Sequence, residues 1–388
     1  MSLLRTFHPV GQGAFYTEQH YEGQEVLTVV YDCGSLTANK EQFQRKVATA
    51  LPPKSVIDLL FLSHFHADHV NGLDELKDRY TIRTVVLPEL TEEARVLVKL
   101  ENYLEYAGFS TALIDDPQAY FGHKTVIIQI EAIRGDSPGA DNNVDNPDAL
   151  AIELPAADQA DEPIVPPGIV TRTQKRMRTV PSGTPIRLRT TQASFWEYVP
   201  YNYEFAGRRS EFLRLLETVG IELTALRTLE QVLDNQKILA RTYKQLDGDL
   251  NENSLVVYSG ALTAQVRLLH KGPPCACWHH FYYEAVKPGC LYLGDADLSV
   301  PFIVPDLRKR LGDRWQTIQT IQVPHHGAVK NFNPAIVAAG MQAVISFGTT
   351  NTYGHPSAYV IGQLHRLHAN PVLVTEHLET GLYSHATH

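Results

Sequence analysis

The segment Leu62-Ser63-His64-Phe65-His66-Ala67-Asp68-His69 places three imidazoles and a carboxylate within six positions. Burying that much polar surface without a partner costs several kcal/mol, so packing alone is a poor reason for it and metal ligation is a good one. Imidazole nitrogens with a hard carboxylate suit Zn, Mn or Fe. The short apolar run 56–63 just before the segment has the length of a buried strand. Side chains two apart share a face of extended chain, so His64 and His66 are expected to reach one ion. Asp68 and His69 lie past the strand end, in the turn leading to a short helix over 74–80, where they can swing to a second ion. Two cations a few ångströms apart activate a bridging water and clamp the oxygens of an in-line displacement.

His-x-His-x-Asp-His is also the signature of the metallo-β-lactamase fold, and the chain resembles that superfamily. A narrower resemblance comes from motifs along the rest of the chain. Val10-Gly11-Gln12-Gly13, Tyr31-Asp32-Cys33-Gly34, Asn251-Glu252-Asn253-Ser254, Tyr292-Leu293-Gly294-Asp295, Val323-Pro324-His325-His326-Gly327 and Asn351-Thr352-Tyr353-Gly354-His355-Pro356 lie on either side of a central stretch. They are similar, in kind and order, to the hydrolase domain of ComEC-type DNA-uptake proteins. The resemblance spans 1–135 and 250–385, and no membrane channel accompanies it, which implies a free-standing relative.

The resemblance implies an α/β fold, a four-layer αβ/βα sandwich with a mainly helical insertion, and two divalent metal ions, Zn or Mn. It implies Asp295 as a carboxylate bridging the two ions, where its plain alternative is a turn residue or helix cap. Asp32 would orient a metal-bound His from behind, or merely cap the turn with Gly34. Adjacent residues of a strand cannot face one point, so one of His325 and His326 is expected to be a ligand and the other an acid or substrate contact. The assignment taken is His325 as ligand, with His326 and Asp68 managing protons. His355 would be the last ligand of the second ion or a phosphate contact. Most enzymes of this fold supply a further His between the first motif and the bridging Asp. Here His123, His270, His279 and His280 lack a convincing context, which leaves Asn251, Asn253 or one of the paired His for that corner.

The elements that must position these groups alternate in type. Runs 3–10 and 25–33 read as strands, 40–51 and 91–108 as helices, the latter with Thr91 as N-cap. From 254 the rhythm returns, with a hairpin of 254–259 and 264–270 around Gly260, strands over 289–294, 317–323 and 342–347, and helices over 304–311, 334–339 and 357–367. Residues 1–388 thus read as one domain with an insertion over 136–250. In that insertion 135–162 hold eight acidic and no basic residues, and 163–196 hold six basic and no acidic residues. These are either two solvated loops or a basic lip, with Arg172, Arg176 and Arg178, that steers a polyanion. Residues 205–246 predict two helices. The aromatic run 196–203 either stacks bases or packs the insertion on the main domain, and Cys275-Ala276-Cys277-Trp278-His279-His280 reads as a hairpin tip or an additional zinc site.

With 388 residues, 44% apolar and 20% charged, the chain has a globular balance. Its net charge of −9 argues against a nonspecific nucleic-acid coat. Four Cys are too few for a disulfide framework. No run of 18 apolar residues and no signal-like N-terminus occurs, so a soluble, cytoplasmic protein is expected. The expected function is a metal-dependent hydrolase, a phosphodiesterase or nuclease that uses a metal-bound hydroxide on nucleic acid or a nucleotide. Ester, thioester or lactam hydrolysis is the alternative within the fold. A metal-stabilised regulatory or binding subunit, with a partner such as an ATPase, is the alternative outside it.

Overall fold

The computed structural model describes residues 2–36, 39–105, 111–134, 149–153, 177–190, 193–204, 207–222, 226, 229–243, 245, 254–262, 267–271, 283–285 and 288–387. Arg172, Arg176, Asn251, Asn253, the 275–280 cluster and most of the acidic stretch lie outside them.

Two large sheets account for most of the strands among the described residues. The first has the spatial order Tyr283–Ala285, Arg267–Lys271, Leu382–Thr387, Ser2–Phe7, Phe15–Glu22, Glu25–Cys33, Val56–Phe61, Thr81–Pro88, Val126–Ile130, Met177–Val180. Its strands are parallel from Glu25–Cys33 onward and antiparallel before it. The second runs Asn370–Val374, Gln342–Ser346, Ile318–Gln322, Gly289–Tyr292, Val256–Ala261, Ser194–Tyr201, Ile186–Arg189, Leu150–Glu153.

The sheets bury one face each against the other through Phe7, Tyr16, Tyr31, Phe61, Trp196, Tyr198, Val257 and Tyr292. The outer face of the first sheet is covered by Phe43 and Val47 of the helix Lys40–Thr49 and by Leu73 and Leu76 of Leu73–Arg79. The outer face of the second is covered by Val304 and Leu307 of Ile303–Leu311 and by Val360 and Leu364 of Ala358–Arg366. Helix, sheet, sheet, helix is the four-layer αβ/βα sandwich that the motifs imply. Helical additions accompany it, since Gly207–Thr218, Leu229–Asp234 and Gln236–Tyr243 pack Phe212, Leu216, Val232 and Leu239 against Val96, Leu97 and Leu100 of the helix Glu92–Glu105.

One strand carries no signal in the sequence, and two local expectations need correction. Phe15–Glu22 is a strand buried over most of its length, although its polar sequence gave no strand signal. The pair 254–259 and 264–270 is no hairpin, since Val256–Ala261 and Arg267–Lys271 enter different sheets. Part of the segment expected as charged loops forms strands, and Arg187 there sits 3.5 Å from the buried Glu197 carboxylate. The 196–203 run is core, with Trp196 fully buried and its indole N–H donating to Ser259 at 2.9 Å. No helix among the described residues is long and apolar enough to cross a membrane.

Candidate metal centre

The strand Val56–Phe61 ends just before the motif, and the chain re-enters helix at Ala67–Val70. This turn is held from below by backbone. Ala14 N donates to Asp68 O at 3.1 Å, and a Cβ on Gly34 would lie 2.4 Å from the Asp68 carbonyl carbon and 2.5 Å from His69 N. Both early glycine motifs therefore serve as the floor on which the Asp68–His69 backbone rests. Gly34→Ala is expected to push this turn upward, costing about 1–3 kcal/mol of stability and weakening metal binding. Thermal unfolding and a metal-competition titration check this, and parental values in both would refute the account.

Two groups of buried side chains bring their donor atoms within 4.8 Å of one another: His64, His69 and Asp295, and Asp68, His69 and His326. His69 belongs to both. Its Nε2 lies 3.2 Å from Asp295 Oδ1, and His64 Nε2 lies 3.6 Å from Asp295 Oδ2. His326 Nε2 lies 3.0 Å from Asp68 Oδ2. His64 Nε2, His69 Nε2 and Asp295 Oδ1 are buried and make no hydrogen bond. Buried polar atoms in proteins are usually hydrogen-bonded, and three orphans that converge on one point fit a cation. The set of imidazoles and carboxylates suits zinc or manganese.

The opposite edges of the rings are anchored. Asp32 accepts from His69 Nδ1 at 2.8 Å and from Ser63 Oγ at 2.6 Å. Ser63 and Ser254 hydroxyls stand 2.9 and 3.1 Å from His64 Nδ1, and His326 Nδ1 faces the Ser346 carbonyl at 2.7 Å. Each ring thus presents Nε2 inward. Asp32→Asn is expected to weaken metal affinity about 10–100-fold while leaving the fold intact, which competition with a chromogenic chelator would measure. An unchanged affinity would mean that Asp32 only caps its turn.

Burial lowers the proton affinity of His69, but Asp295, Asp68 and Asp32 outweigh it and hold the group well above its usual range. Burial pushes His64 well below. For Asp295, burial is outweighed by His69, His325 and His64, and its carboxyl stays well below the usual range. A divalent cation would compete with the proton on His69, so metal binding is expected to release protons and to weaken as pH falls. Calorimetry in two buffers of different ionisation enthalpy reads this directly, and equal apparent heats would contradict it.

His325 and His326 both adopt left-handed backbone, at φ 48° and 53°. Two such residues in succession turn the chain so that His326 enters the second group, while His325 stays at the rim, 26% exposed with Nε2 4.0 Å from Asp295 Oδ2. The structure thus places His326, which the motif reading took as the acid, closer to the other donors than His325. The His355 ring lies 5.7 Å from that of His325 and outside both groups. His66 is also outside both; its Nε2 lies 3.2 Å from Glu101 Oε2 on the helix Glu92–Glu105. Glu101 was not anticipated, because a glutamate in a charged helix reads as a solvated residue. His123 is exposed on a turn, and Arg178 is half-buried on the strand Met177–Val180.

Residues 27–138 match the model of the metallo-beta-lactamase superfamily, a span that includes Asp32 and the whole 64–69 motif. No curated protein matches the chain. Two candidate metal groups that meet at His69 support a metal-dependent hydrolase. Family match and sheet layering converge on one conclusion: the chain contains a metallo-β-lactamase-fold domain.

Proposed function

We propose that the protein is a metal-dependent phosphodiesterase, acting as a nuclease or on a nucleotide, with His64, His66, Asp68, His69, Asp295 and His326 as the residues that hold two divalent ions. The observation that carries this reading is that two buried donor groups lie side by side and meet at His69. When bound, such ions supply Lewis acidity to a phosphoryl oxygen and lower the proton affinity of water. The chain's own residues do the rest. Asp68, whose carboxylate has a second oxygen besides the one 3.0 Å from His326, takes a proton from the attacking water and returns it to the leaving oxygen. His325 at the rim and His355 behind it donate to non-bridging phosphate oxygens. Arg172, Arg176 and Arg178 steer the polyanion. The order of motifs, similar to that of ComEC-type hydrolase domains, favours phosphorus over carbon as the electrophile.

The test is purified protein with Mn or Zn on bis-p-nitrophenyl phosphate, single-stranded DNA, a carboxylic ester and nitrocefin. Cleavage of the first two is expected. Hydrolysis of nitrocefin or the ester alone would replace this reading with acyl transfer to water.

A further inference from the structure

We infer that Tyr353 forms a stacking subsite for a planar base, which narrows the substrate class to phosphodiesters that carry a nucleobase beside the scissile phosphorus. This rests on the phosphodiesterase reading and adds what the centre selects. From the centre to solvent the rim is a series of rings. His325 has its Nε2 4.0 Å from Asp295 Oδ2, and the His355 ring follows 5.7 Å from that of His325. The Tyr353 ring follows 6.1 Å from His355 and is inclined to it by only 15°. The last two rings thus lie almost parallel, with His355 half-buried and Tyr353 61% exposed.

Large rings gain from leaving water, so exposed ones are informative where they gather at a site. Among the described residues the exposed Phe, Tyr or Trp side chains are Tyr353 and Tyr359, and both flank the place where the 351–357 loop meets the turn of His325. That junction is fixed. Ser357 N donates to Gly327 O at 3.1 Å, and a Cβ on Gly327 would stand 2.9 Å from Pro356 Cβ. Asn351 Oδ1 accepts from the backbone N–H groups of Tyr353 and His355, at 3.2 Å each. Its Nδ2 donates to the carbonyls of Gly348 and His355 at 2.6 and 2.7 Å. A ring carried on a backbone set in this way loses little freedom when a ligand stacks on it. Every nucleobase has a π-face, so such a subsite favours the presence of a base with little choice among bases.

The test compares two substrates of the full chain with manganese: the p-nitrophenyl phosphodiester of thymidine, and the same ester with hydrogen in place of the base. A preference for the thymidine ester of about tenfold, expressed in KM, is expected of the parental protein. Tyr353→Ala should abolish most of that preference, and Tyr353→Trp should keep it. Base binding is read apart from turnover through the fluorescence of a 2-aminopurine nucleotide, which stacking quenches. Quenching by the parental chain that is lost in Tyr353→Ala is expected. A loss of turnover shared equally by the two esters, or quenching that is absent from the parental chain or equal in both proteins, would overturn the subsite. Failure of the parental chain to cleave either ester, with Tyr353-dependent quenching intact, would overturn the phosphodiesterase reading and uphold the base-stacking one.

Discussion

Asp295→Ala is expected to lower kcat/KM on a phosphodiester by about a thousandfold or more, the scale of losing a group on which transition-state charge stabilisation depends. Asp295 lies within 3.2, 3.6 and 4.0 Å of His69, His64 and His325. It belongs to the donor group with His64 and His69, and His69 in turn meets the group with Asp68 and His326. If the centre holds metal as proposed, its removal takes away a ligand and the negative charge that offsets a dication. Metal content should fall with activity, and Asp295→Asn, which keeps the volume, should rescue neither. The backbone of Asp295 is fixed independently, through its N–H to Ser254 Oγ at 2.9 Å, so the fold should survive. Near-parental turnover in Asp295→Ala with metal still bound would remove Asp295 from the centre.

Arg5→Met is expected to destabilise the protein by about 3–5 kcal/mol, the usual cost of stranding one member of a buried ion pair. Between the sheets Arg5 Nε meets Glu18 Oε1 at 2.6 Å, and both side chains are almost wholly buried. Glu18 also accepts from Tyr198 at 2.6 Å, Tyr292 at 2.8 Å and Ser259 at 2.7 Å. Removing the guanidinium leaves a carboxylate with three hydroxyl donors and the uncharged or weakly basic His20 nearby. The double variant Arg5→Met/Glu18→Gln discards the charge but retains an acceptor for those hydroxyls, and should recover much of the loss. Urea unfolding of the single and double variants gives the coupling directly. If Arg5→Met cost less than about 1 kcal/mol, the pair would not hold the sheets together.

The same network explains what could be read from the sequence and what could not. The 64–69 motif was legible because its ligand types are adjacent in sequence and tied to one apolar run. Glu25–Cys33 was legible because its β-branched and apolar residues are dense. Phe15–Glu22 was not, since the buried Glu18 and His20 are satisfied by partners such as Arg5 and Tyr198, on a neighbouring strand or in the other sheet. Glu101 was hidden for a related reason. In the run Glu92–Glu105 the spacing of apolar residues marks the face toward the added helices, but nothing local indicates that a glutamate of that helix will meet His66. The different sheets of Val256–Ala261 and Arg267–Lys271 follow from pairing with Ser194–Tyr201 and Leu382–Thr387, far away in sequence.

Asp32, His325 and His326 are three of the five non-glycine residues with positive φ among those described. Left-handed backbone at such residues costs on the order of 1–3 kcal/mol each, and none of the three can be exchanged for a relaxed residue without losing an imidazole or the carboxylate behind one. Three positions at which a screen for heat resistance could find gains thus lie in or directly behind the candidate metal centre. Selection for thermostability alone should drift toward glycine or asparagine there and yield sturdier but inert proteins. An engineering campaign would do better to hold 32, 325 and 326 fixed and look for gains on the outer helices.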